Sequence, residues 1–185
     1  MEIYCLGDSL TEGRADGNGE NWVSLLNRET CHHWHNCGVA GDTSLGMLVR
    51  LQTQILPNKP WMVIYLGGFN DILLTGSADQ AKSAVMAFVN QCAHEGVRPV
   101  VGIPYDVSSV PAPWNRLCDS KKALAALDEY IRWLRCFTKG VMLRSVDFCE
   151  VGQYLMEDGI HPSARGHRVM ADAVIASGIV KGAPK

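Results

Sequence analysis

The chain has 185 residues, 47% hydrophobic and 19% charged, with a formal net charge of -2 and a pI near 6.3. That composition is ordinary for a globular protein, and the length is enough to bury a core as one domain over 1–185 without metal or disulfide support. It excludes an overall basic field for nucleic acid or anionic lipid, and no apolar run approaches the roughly 20 residues that cross a bilayer.

The opening "MEIYCLGDSL" has an acidic residue at position 2 and too short an apolar run for a signal peptide. The seven cysteines are odd in number and lack CxxC spacing, which points to reduced thiols and a cytoplasmic setting. Cys5 and Cys149, in or at the ends of expected strands, read as small apolar residues.

In chain order, "EIYCLG" (2–7) is a first strand, followed by a short helix around "NWVSLLNRE" (21–29). "CHHWHNCG" (31–38) is a second, less apolar strand. "DTSLGMLVRLQTQIL" (42–56) has Leu45, Leu48, Val49, Leu51 and Ile55 near helical spacing, with Asp42 or Thr43 as N-cap. "WMVIYLGG" (61–68) is apolar throughout, as in a strand buried on both faces. A helix over 78–94 ends at Gly96, and "RPVVGIPY" (98–105) is a fourth strand. A Pro-rich loop leads to a helix over 120–137, a fifth strand "VMLRSVD" (141–147) and a final helix "RGHRVMADAVIASG" (165–178). Alternation of this kind implies right-handed crossovers and a parallel sheet covered by helices on both sides.

In such a sheet chemistry gathers just past the carboxyl ends of the strands. The segments there are "GDSL" (7–10), "NCGVAGDTS" (36–44), "GGFND" (67–71) and "DGIHP" (158–162). A Ser hydroxyl needs a base, and His161 is the best candidate. Asp158 stands three residues before it, in a segment broken by Gly159 and Pro162 that can fold the carboxylate onto the imidazole. An oxyanion needs preorganised donors, for which the Ser9 and Gly41 backbone N–H groups and the Asn70 carboxamide are the candidates.

These blocks, in this order, resemble the GDSL or SGNH hydrolase family. Its name letters fall on Ser9, Gly41, Asn70 and His161, with the Asp-x-x-His pair at Asp158 and His161. "GDSLTEG", "AGDTS", "GFND" and "DGIHPSARGH" are most similar to the compact bacterial esterases, including the thioesterase and lysophospholipase type. The resemblance implies a flavodoxin-like three-layer α/β/α sandwich with a five-stranded parallel sheet. It also implies hydrolysis of esters or thioesters without metal or organic cofactor.

Competing readings attach to several residues. Ser9 is a plausible helix N-cap, and Asp71 suits the cap of the helix after strand three. His167 is the rival base, read as a near-surface residue at a helix start. Cys31, His33, His35 and Cys37 share one strand face, but with same-face neighbours about 6.6 Å apart all four cannot converge on one ion, which leaves at most a two-residue chelate. Asp8 is expected to brace the turn through backbone amides. With Tyr105 and Trp114, near Val110, it completes the candidate substrate-binding set. No long insertion suggests a lid, so an open site for small esters with short acyl chains is expected. A sugar O-deacetylase or an acyl thioesterase would use the same residues. A silent binding module would be expected to have lost one of the five polar groups, and no Gly-x-Gly-x-x-Gly or Walker sequence supports a nucleotide site.

Overall fold

The computed structural model describes residues 1–13, 20–108, 110 and 118–180. Strands β1 (Glu2–Gly7), β2 (His33–Gly38), β3 (Met62–Leu66), β4 (Arg98–Ile103) and β5 (Ser145–Asp147) form one parallel sheet in the order β2-β1-β3-β4-β5. The five-stranded α/β architecture expected from the alternation is therefore present. All of β3 is buried, because crossover helices cover both sides of a parallel sheet. Helix α2 (Trp22–Glu29) packs on α7 (Ala164–Ser177), while α3 (Ser44–Arg50) packs on α5 (Asp79–His94) and α5 on α6 (Ser120–Gly140). Two short helices, α1 (Ser9–Glu12) and α4 (Phe69–Thr75), follow β1 and β3 directly. Among the described residues, no helix is long and apolar enough to cross a membrane.

From β1 the chain steps out to β2, then returns past β1 to β3. That reversal opens a crevice at the carboxyl ends of β1 and β3, where open α/β sheets bind ligands. The exposed edge of β2 is occupied by the Asn27 side chain, which accepts from Trp34 N–H at 2.9 Å and donates to Trp34 C=O at 2.6 Å.

Several expected elements differ in extent. The helix expected over 42–56 holds α-geometry only to Arg50, then passes through a π-turn (Leu51–Ile55) and a 3-10 turn (Leu56–Asn58). Pro57 has no N–H to continue the ladder. Helix α4 was not expected at all, since "FNDILLT" is too short to display a period. Helix α6 runs on to Gly140, and Met142 takes a left-handed φ of 52°, so β5 keeps only three residues of the expected 141–147. Cys5 is buried as expected, but Cys149 is exposed because it starts a 3-10 turn beyond β5.

Candidate active site

Strand β1 ends at Gly7 for a steric reason. A Cβ there would lie 2.1 Å from Thr11 Oγ1 and 2.8 Å from the Leu66 carbonyl oxygen. The chain turns at once into α1, and Asp8 caps it, with Oδ1 accepting from Leu10 N–H at 2.9 Å. Ser9 is thus the first helical residue rather than the N-cap, and its hydroxyl is free for another partner. That partner is His161, whose Nε2 lies 2.9 Å from Ser9 Oγ. On the far side of the ring, Nδ1 lies 2.5 Å from Asp158 Oδ2.

The loop carrying this pair is held from several directions. Asp158 Oδ1 accepts the amides of Ile160 and His161 at 3.0 and 2.9 Å. The His161 carbonyl accepts Met156 N–H at 2.7 Å, and Ser163 Oγ donates to the Tyr154 carbonyl at 2.8 Å. Burial alone would raise the Asp158 pKa, but the two amides and the imidazole outweigh it and hold the carboxyl below its ordinary value.

After β2, Gly41 adopts φ +77°, and a Cβ there would meet nothing within 4 Å. The residue is exposed, in a conformation that suits glycine. Thr43 caps α3, as expected from its position. Ser44 donates through N–H and Oγ to Asp71 Oδ2 at 2.9 and 2.8 Å, and the Tyr65 hydroxyl donates to Ser44 Oγ at 3.0 Å. Asp71 therefore ties the loop after β2 to α4 rather than capping α4, whose N-cap position is Gly68. Asn70 sits in the first turn of α4. Its Nδ2 donates to the Asp42 carbonyl at 2.9 Å and stands 3.5 Å from Asp8 Oδ2, at the limit of a hydrogen bond. One Asn70 N–H is thus engaged within the protein, and the other is only weakly held.

Of the remaining candidates, Asp8 is buried, so it braces the turn and offers no surface to a substrate. Burial pushes its carboxyl up to about 7, opposed by the Leu10 amide and reinforced by the charges of Asp42 and Asp71. Tyr105 is 1% exposed, and its hydroxyl donates to the Ile160 carbonyl at 2.6 Å. The expectation that it walls a substrate pocket gives way to a role in holding the His161 loop. Trp114 lies outside the described residues. His167 is buried within α7 rather than near the surface, and the group beside Ser9 Oγ is His161. His35 stacks on Tyr4 with ring centroids 4.2 Å apart and pairs with Glu2. A cleft lined by Gln52, Pro57, Asn90 and His94 lies at the amino ends of β3 and β4, away from this constellation.

Sequence reasoning passed over Arg50, Tyr65 and Ser44, which scaffold the crevice. One signal was available for Arg50: it is the sole cation in the run 42–56.

The sequence model of the GDSL-like lipase/acylhydrolase family matches residues 5–169. "Thioesterase 1/protease 1/lysophospholipase L1" of Escherichia coli K12 is 25% identical over 177 residues, covering 92% of this chain and 79% of that protein. "Esterase TesA" of Pseudomonas aeruginosa is 26% identical over 167 residues, covering 87% and 79%. A solved member of the lipolytic G-D-S-L family from Veillonella parvula superposes with a TM-score of 0.76 at 19% identity, covering 95% of this chain and 96% of that one. That structural likeness bears on the fold.

Proposed function

The chain belongs to the GDSL-like lipase/acylhydrolase family, and on that premise we propose that it is a serine hydrolase cleaving carboxylic esters of short acyl chains through an acyl-enzyme. The observation that carries the reading is the unbroken line Asp158 Oδ2–His161 Nδ1, His161 Nε2–Ser9 Oγ, at 2.5 and 2.9 Å. Ser9 Oγ attacks the acyl carbonyl as His161 Nε2 takes its proton, and Asp158 holds the tautomer and stabilises the imidazolium. The negative oxygen of the tetrahedral adduct is received by the Ser9 and Gly41 amides and by the weakly held N–H of Asn70. Each such donor contributes about 2.7–4 kcal/mol to the transition state. His161 then returns the proton to the departing alcohol. Water, activated by the same imidazole, hydrolyses the Ser9 ester and frees the enzyme.

The apolar recess lined by Phe69, Ile72, Leu73, Val107 and Val110, beside the helix that carries Asn70, has only about 10 Å³ of accessible space, too little for an acyl chain. The short-chain reading comes instead from the sequence, in which no long insertion suggests a lid. The test is Ser9→Ala. It should abolish turnover of a short p-nitrophenyl ester and labelling by a fluorophosphonate while leaving the circular dichroism unchanged. Equal turnover by the variant would overturn the assignment.

A thioester-cleaving reading is favoured by one observation, the thioesterase name of the Escherichia coli relative. The same residues serve both leaving groups. Comparing acetyl, butyryl and octanoyl esters, acyl thioesters and acetylated sugars separates the two readings.

A further inference from the structure

Arg50 is the last residue of α3, and its guanidinium makes four hydrogen bonds to three parts of the chain. Nε and Nη2 donate to Asp42 Oδ2 at 2.8 and 2.6 Å. Nη1 donates to the Cys37 carbonyl at 2.6 Å, and Nη2 also donates to the Gly7 carbonyl at 3.0 Å. Both partners of the ion pair are largely buried, each with a side chain 15% exposed.

The position of those acceptors matters more than their number. The β1–β2 ladder ends at the pair Gly7 and Gly38. Beyond it the strands diverge into the segments that hold Ser9 and Gly41, joined by one backbone bond from Val39 N–H to the Gly7 carbonyl at 3.1 Å. Arg50 grips both segments where they part. Gly7 lies two residues before Ser9, and Asp42 directly follows Gly41. A planar guanidinium with five donors can satisfy such divergent acceptors at once; a lysine ammonium, a point charge on a flexible stem, cannot.

We propose that Arg50 is a positioning residue for the hydrolysis described above, setting the spacing between the Ser9 and Gly41 backbone amides that receive the oxyanion. This rests on the reading of those amides as donors. It differs from a stabilising role because the two loops ending β1 and β2 supply separate halves of one anion site. A donor moved by about 1 Å costs on the order of 100-fold in rate while leaving the substrate's other contacts in place.

The experiment compares wild type, Arg50→Lys and Ser9→Ala on a short p-nitrophenyl ester, with kcat, KM, the fluorophosphonate labelling rate and the melting temperature recorded for each. Arg50→Lys should lower kcat by roughly 10–100-fold and slow labelling in parallel, with KM nearly unchanged. A folded Arg50→Lys protein with wild-type kcat and labelling rate, whatever its melting temperature, overturns the proposal. So does a loss confined to KM. If Arg50→Lys does not fold, Asp42→Asn weakens the grip from the other side, and an unchanged kcat in that variant overturns the proposal instead. Failure of the underlying reading looks different: wild type and Ser9→Ala would then hydrolyse the ester equally.

Discussion

The Tyr105 hydroxyl donates to the Ile160 carbonyl at 2.6 Å, joining the loop after β4 to the residue that precedes His161. Burial, then the charges of Asp8 and Asp158, raises the phenol well above its ordinary pKa, so it remains a neutral donor. Tyr105→Phe keeps the packed ring but leaves a buried carbonyl without its partner, at a cost of about 1–3 kcal/mol. The loosened loop should also lower kcat several-fold with little change in KM. Urea unfolding and steady-state kinetics measure the two effects. If stability falls and kcat does not, the bond holds the fold without aligning His161.

Asp158 uses its two oxygens differently, Oδ1 for backbone amides and Oδ2 for the imidazole. Asp158→Asn can still accept the two amides, so the loop should stay folded. Its Nδ2 now faces His161 as a donor, forcing Nδ1 to accept and leaving the proton on Nε2, where it cannot take the Ser9 proton. We expect kcat to fall by roughly 10³–10⁴-fold with the circular dichroism unchanged. A loss below ten-fold would remove Asp158 from the proposed mechanism.

Features written in runs of sequence were readable, and features made by burial were not. The apolar run of β3 and the polar segments after β1, β2, β3 and β5 identify the sheet and the edge at which Ser9, Asn70 and His161 gather. Asp and Ser cap helices almost equally well, so local chemistry could not tell that Asp8 takes the cap and releases Ser9. Tyr105 stands alone in sequence, and no period announces its burial. His167 shares the helical spacing of buried Met170, Ala171 and Val174 but is a polar residue that such a face does not usually hold. The three-residue β5 illustrates the converse, where an apolar stretch such as "VML" reads as strand although Met142 turns left-handed and is 92% exposed.

Asp8 gives stability a pH dependence of unusual sign. Its carboxyl titrates at about 7 in the folded protein against an ordinary 3.8, so between those values the folded state holds a proton that the unfolded chain has released. The resulting contribution is complete below the unfolded value and is lost as pH rises through about 7. Its ceiling is about 4 kcal/mol. Asp8→Asn preserves a capping oxygen and abolishes the titration. Urea midpoints at pH 5 and pH 8 should therefore show wild type losing stability relative to Asp8→Asn. Parallel behaviour of the two proteins would mean that Asp8 is ionised throughout that range.

Gly41 separates conformational strain from lost chemistry. At φ +77° an alanine pays a left-handed penalty of about 1–2 kcal/mol. No atom within 4 Å obstructs its methyl, so Gly41→Ala should fold with only that modest loss of stability. With the Gly41 amide in its proposed role, the added methyl would stand beside the bound acyl group, and the strained backbone would turn the amide away from the oxyanion. We expect kcat/KM for an acetyl ester to drop by at least ten-fold, approaching the loss of one oxyanion donor, and a butyryl ester to suffer more. Melting temperature and the two kcat/KM values decide the matter. A stable Gly41→Ala protein with wild-type kcat/KM on both esters would leave the Gly41 amide no part in receiving the oxyanion.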